Sequence, residues 1–127
     1  MTYKELLDSA ILEDVLNSYN SLIRIDCNDV RDLFLEGREI HDFDTSVNAS
    51  IDGRMECIMD KVKRTVMVSN GDIRLLFYLF FPENLPLMMH ELSQFTQWID
   101  TIPGSYTIKW GMAKHSAQEL RTIILWQ

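Results

Sequence analysis

At 127 residues, 46% apolar and 24% charged, the chain has the length and composition of one domain with one buried core. Its longest apolar run, Leu75 to Phe81, is strand length and excludes a membrane-spanning helix, while Cys27 and Cys57 are too few for a disulfide framework. Residues 1–60 carry 14 acids against 5 bases and residues 61–127 carry 5 acids against 7 bases; this layout, net −7, lacks the dense basic face that nucleic-acid binding requires. The basic cluster Lys61-Val62-Lys63-Arg64 reads as the last turn of a helix answering its dipole. Met1-Thr2-Tyr3-Lys4-Glu5 has no basic-then-apolar leader pattern, so the expected location is the cytoplasm.

The first element is a long amphipathic helix. Thr2 and Glu5 have capping-box spacing, and Tyr3, Leu6, Leu7, Ala10, Ile11, Val15, Leu16 and Tyr19 recur at intervals of three and four over about four turns. A second helix is predicted from Asp26, burying Val30, Leu33 and Phe34 and stopping at a left-handed Gly37. Arg38 to Val47 is polar, with Ile40, Phe43 and Val47 spaced for a weak strand. Ile51, Met55, Ile58, Met59 and Val62 mark a third helix ending at the basic cluster.

Beyond that point the period changes from helical to extended. Asn70-Gly71-Asp72 signals a turn, and Ile73 to Phe81 is apolar enough to be a central strand covered on both faces, closed by Pro82. Asn84-Leu85-Pro86 is expected to open a helix whose stripe holds Leu85, Met88, Met89, Leu92, Phe95, Ile99 and Ile102, ended by Pro103-Gly104. Tyr106, Ile108, Trp110 and Met112 alternate with polar or small residues, and Thr122 to Trp126 is rich in β-branched and aromatic residues. These two read as strands paired in a hairpin across 113–120. The fold class expected is α+β: a four-stranded mixed sheet packed with helices, preceded by the long N-terminal helix. Residues 1–36 would hold the N-terminal helices and a loop, and residues 37–127 an α/β sandwich.

The chemistry-bearing stretch is Leu22-Ile23-Arg24-Ile25-Asp26-Cys27-Asn28-Asp29-Val30-Arg31. Two readings of its aspartates stand side by side. Asp26 can cap the helix it opens and Asp29 can favour the positive end of the helix dipole. The second, that they orient a water for attack on phosphorus, is one that only a family resemblance implies. Arg24 and Arg31 are either solvated charges paired with nearby acids or contacts to an anion. Trp98 falls beside the stripe of its helix and is expected half-exposed, as an interface anchor. His41, His90, His115, Cys27 and Cys57 show no paired metal-ligand spacing, so neither metal nor cofactor is expected.

The decapeptide resembles the catalytic loop of the tubulin/FtsZ family, which reads Leu-Ile-Asn-Val-Asp-Phe-Ala-Asp-Val-Arg. Ile108-Lys109-Trp110-Gly111-Met112 and Arg121-Thr122-Ile123-Ile124 are similar to two later strands of that family. The resemblance implies the C-terminal half of FtsZ: a central helix, the loop, a short helix, then a domain of four strands and two helices. It further implies that Asp26 and Asp29 would project into a neighbouring subunit's GTP site, acting in trans. Arg24, Cys27 and Asn28 depart from the motif, with a cation standing where the family touches nucleotide or its water. Gly37, Gly53, Gly71, Gly104 and Gly111 are scattered singly, so no glycine-rich phosphate loop lies within the 127 residues, and the sequence stops at Gln127 without the family's flexible tail. The leading expectation is therefore a non-catalytic protein–protein interaction module tied to cell division. It would dock through Arg24, Asp26, Asn28, Asp29, Arg31 and Trp98 on a tubulin-like GTPase or on a second copy. The alternatives are a subunit of a split GTPase that supplies Asp26 and Asp29, and a self-assembling structural protein.

Overall fold

The fold is described from a computed structural model, over residues 1–18, 21–68 and 71–127. In chain order the elements are α1 (Tyr3–Leu7), α2 (Ala10–Leu16), β1 (Ser21–Ile23), α3 (Cys27–Leu33), β2 (His41–Asn48), α4 (Arg54–Thr65), β3 (Asp72–Pro82), α5 (Met89–Ile99), β4 (Ser105–His115) and β5 (Glu119–Trp126). The strands form one sheet in the order β1-β4-β3-β5-β2, in which only β3 and β4 run parallel. The sheet is mixed, as expected, but it has five strands where four were expected.

β3 takes the middle because its side chains are apolar on both faces. Leu75, Phe77, Leu79 and Phe81 point into one core with α4 and α5, while Leu76, Tyr78 and Phe80 point into a second with α1, α2 and α3. A strand with no polar face loses least by being covered on both sides. The expected hairpin of β4 with β5 does not form, since both strands flank β3 instead. Phe77 stands opposite Trp110 of β4 and Ile124 of β5. The strand β3, helix α5 and strand β4 make a parallel crossover unit, which places β4 on the far side of β3 from β5.

The expected N-terminal helix is divided. Thr2 accepts from the Glu5 amide as predicted, but at Ser9 the chain turns extended (φ −80°, ψ 145°) and the Ser9 hydroxyl accepts from the Leu12 amide at 3.2 Å, starting α2 afresh. Leu6 and Val15 of the expected stripe still reach one core, together with Leu12, which the stripe passed over, whereas Leu7 and Ala10 are exposed because the break at Ser9 re-phases the second helix. Tyr19, the last member of that stripe, lies outside the described residues, as does Asn70 of the expected turn.

Smaller corrections have local causes. α3 ends with Phe34 extended as its cap, and Gly37 (φ 84°) turns the chain three residues further on instead of stopping the helix. α5 starts at Met89, after Pro86 and not around it; Met88 and Met89, expected on the buried stripe, are 53% and 81% exposed. Leu22 and Ile23, expected in a loop, form the fifth strand against β4, with Ser21 opposite Ala113 and Ile23 opposite Met112 across an irregularity in register.

Gly111 explains how that edge closes. A methyl group there would lie 2.6 Å from the Ile23 carbonyl oxygen and 2.5 Å from Cε2 of Tyr78. Only a residue without Cβ lets β1 leave the edge and cross above the sheet toward α3. Tyr78, fully buried, shares its hydroxyl with Ser18 Oγ at 2.7 Å and Ser21 Oγ at 3.2 Å, so the same crossing point satisfies a buried polar group.

Candidate functional site

The segment Arg24 to Arg31 is carried from the edge strand β1 onto the first turns of α3. Ile25, Val30 and Leu33 are buried and anchor it, which leaves Arg24, Asp26, Cys27, Asn28 and Arg31 exposed around the N-terminus of the helix. Asp26 caps α3: its Oδ1 accepts from the Asp29 amide at 2.9 Å, and Asp29 Oδ2 accepts from the Asp26 amide at 3.0 Å. Each carboxylate satisfies a helix-start donor supplied by the other residue, the reciprocal arrangement of a capping box with Asp at both positions. The capping reading of the sequence is thus realised in the geometry.

Asp29 has a second partner, since Lys109 of β4 lies 3.4 Å from its Oδ1. The Asp26 amide holds the Asp29 carboxyl below its ordinary value of 3.8; partial burial works against this, and Lys109 adds to the lowering. A carboxylate held ionised by an amide and an ammonium is a weak proton acceptor, so its chemistry suits orientation and charge more than general base work. Among the described residues neither Arg24 nor Arg31 joins an ion pair. The pairing expected for them with Asp26, Asp32 or Glu36 is not made, and two free cations flank the capped helix start.

Trp98 does not belong to this face. It is 7% exposed and packs in the core between α4, α5 and the sheet, correcting the expectation of a half-exposed anchor. Among the described residues the exposed tyrosine and tryptophan side chains are Tyr106 and Trp110, on β4. Trp110 stacks on Phe77 with ring centroids 5.7 Å apart, Phe77 stacks on Phe95 at 5.0 Å, and these rings line a groove of about 570 Å³ with Met89, Leu92, Ile99 and Ile108.

Two further groups escaped sequence reasoning. Arg54, in the first turn of α4, is 7% exposed and makes a two-pronged ion pair with Glu91 of α5, at 2.7 and 2.8 Å. Its remaining donors reach the carbonyl oxygens of Ala49, Leu85 and Pro86. Burial pushes the Glu91 carboxyl up, but the guanidinium and the Met88 amide more than offset this and leave it below the ordinary range; Arg54 is raised by Glu91 in turn. The legible signal was a base in the first turn of a helix, where the dipole disfavours it unless a partner is supplied from elsewhere. Arg121 of β5 forms the second cluster, gripping Asp44 at 2.6 and 3.0 Å and Asp14 at 3.0 Å above the Phe80 ring. Every donor of Arg54 has an acceptor, and Arg121 is held by two carboxylates, so both read as structural ties.

Among the described residues no three His, Cys, Asp or Glu side chains come together to hold a metal ion, and no helix is long and apolar enough to cross a membrane. No family model matches the chain, and no curated protein matches it in sequence.

Proposed function

We propose that this chain is a non-catalytic protein–protein interaction module whose docking face is the exposed start of α3, with Arg24, Asp26, Asn28, Asp29 and Arg31 as its contact residues. The partner of this reading is a subunit of a tubulin-like polymer or a related assembly, met at its nucleotide-bearing end in the cytoplasm. Bound there, the module would block the next subunit and limit polymer growth. The observation that carries the reading is the pair of unpaired cations, Arg24 and Arg31, beside two carboxylates already committed to capping the helix. Exposed guanidinium groups suit a phosphate-bearing or acidic surface, and they weaken as contacts when salt screens them.

The test is co-sedimentation with FtsZ-type filaments. A stoichiometric amount of the chain is expected to reduce pelleted polymer, and Arg24→Glu with Arg31→Glu to abolish the effect. Unchanged polymer mass and length with the native chain would sink the proposal. Phosphate release measured in the same mixtures separates the competing reading of a split GTPase. Stimulated hydrolysis that disappears in Asp29→Asn, a change that preserves an acceptor for the Asp26 amide, would replace the module with an enzyme subunit.

A further inference from the structure

β4 is paired on its inner side along its whole length, from Ser105 opposite Asp72 to His115 opposite Pro82. On its outer side β1 reaches only Met112 and Ala113, and among the described residues no strand or loop bonds the outer backbone of Ser105 to Gly111. From Ser105 to Trp110, where every residue is exposed or half-buried, alternate residues therefore leave N–H and C=O groups ready to pair with another strand, while Gly111 is buried beneath the Ile23 carbonyl at the end of the stretch. The opposite edge of the sheet is guarded differently, since β2 carries Asp42 and Asp44 there, and Asp44 is tied to Arg121. Such charges discourage edge pairing. The β4 edge has one charge, Lys109, and its ammonium is already held by Asp29 at 3.4 Å.

The order of residues along this free edge selects its occupant. Ser105-Tyr106-Thr107-Ile108-Lys109-Trp110-Gly111 reads as small, aromatic, polar, isoleucine, polar, aromatic, small, and it reads the same in reverse. The free stretch is bounded by Gly104 at one end and by the β1 contact at Met112 at the other, so its midpoint is Ile108. We infer that the β4 edge pairs with the same edge of a second copy of this chain, antiparallel about a twofold axis at Ile108, to give a continuous ten-stranded sheet.

That register sets Ile108 against Ile108, Tyr106 against Trp110 of the second copy, and Thr107 against Lys109. A twofold contact is self-complementary only if each residue suits the one at its mirrored position, and this sequence meets the condition at every step. The aromatic pairs fall on the α5 side, at the mouth of the groove lined by Phe77, Met89, Phe95 and Trp110, where cross-strand aromatic contacts add to burial. Gly111 and Ser105 meet at the two ends, and neither carries bulk toward β1. The interface is small and each copy carries −7, so the dimer belongs to the weak, salt-strengthened class.

Thr107 provides the test, because it is exposed, lies on the side away from the groove, and faces Lys109 of the second copy only in this register. Sedimentation equilibrium of the full chain from about 1 μM to about 1 mM is expected to show a monomer–dimer equilibrium. Thr107→Lys, which opposes two cations, should raise Kd roughly fivefold, and Thr107→Glu should lower it by a similar factor, since each dimer holds the pair twice. Amides of Ser105 to Gly111 should exchange more slowly as dimer accumulates. A monomer throughout the range would overturn the inference, as would a dimer whose Kd ignores both substitutions or moves the same way with each. The measurement contains no polymer partner, so its result is independent of the docking proposal.

Discussion

Gly111 shows how one missing methyl group can decide a local path. Its hydrogen lies where the Ile23 carbonyl passes over the sheet and beside the Tyr78 ring, both closer than any Cβ tolerates. Gly111→Ala is expected to cost about 1–3 kcal/mol, the usual range for overpacking, read as a lower urea midpoint at unchanged slope. Asp29 offers a pH-dependent counterpart. Its folded pKa lies below the ordinary 3.8, so the stability it contributes is complete above that value and is lost as pH falls through the lower, folded pKa. Thermal melts between pH 2 and pH 6 should therefore fall more gently at the acid end in Asp29→Asn than in the native chain. A parallel pair of curves would show that Asp29 carries no net linkage. At this scale the capping of α3 was readable from the spacing of Asp26 and Asp29, because capping is local. The Lys109 contact was not, because 80 residues separate the partners.

Helices α4 and α5 are joined by the pair Arg54 and Glu91, which are 7% and 5% exposed. Removing one partner strands a charge in the core, so Glu91→Gln and Arg54→Met are each expected to destabilise by about 3–5 kcal/mol. Arg54→Met with Glu91→Leu should recover much of the loss, since a matched apolar pair strands nothing; a double-mutant cycle in denaturant checks it. The split between α1 and α2 tests a weaker local determinant. Ser9→Ala removes the acceptor for the Leu12 amide and should cost about 1 kcal/mol. The periodicity from Tyr3 to Leu16 marked Leu6 and Val15, which are buried, but it included Leu7 and Ala10, which are exposed, and passed over the buried Leu12; nor could it mark the break, because α1 and α2 present Leu6, Leu12 and Val15 to the same core on either side of it. β1 escaped for a related reason: three residues are too few to establish a period.

The two cores share the sheet, with β3 contributing alternate residues to each. Trp98 and Trp126 lie in the α4–α5 core, and Trp110 faces the same side through its stack on Phe77. Leu12→Ala, made in the opposite core, is expected to cost about 2–5 kcal/mol and to shift tryptophan fluorescence and far-ultraviolet dichroism together. Separate transitions would mean that the faces melt independently. Sequence alone determined the elements that speak through local chemistry or period: the α3 cap, the buried stripe Met55, Ile58, Met59 and Val62 of α4, though not Ile51, which precedes the helix and is exposed, and a β3 apolar enough to need cover on both sides. Only the tertiary structure decided that β4 and β5 flank β3 instead of each other, that a fifth strand closes part of one edge, that Trp98 is buried while Trp110 is not, and that Arg54 finds Glu91. Each of these depends on which distant segments compete for the same neighbour, and that competition is settled by packing across the whole sheet.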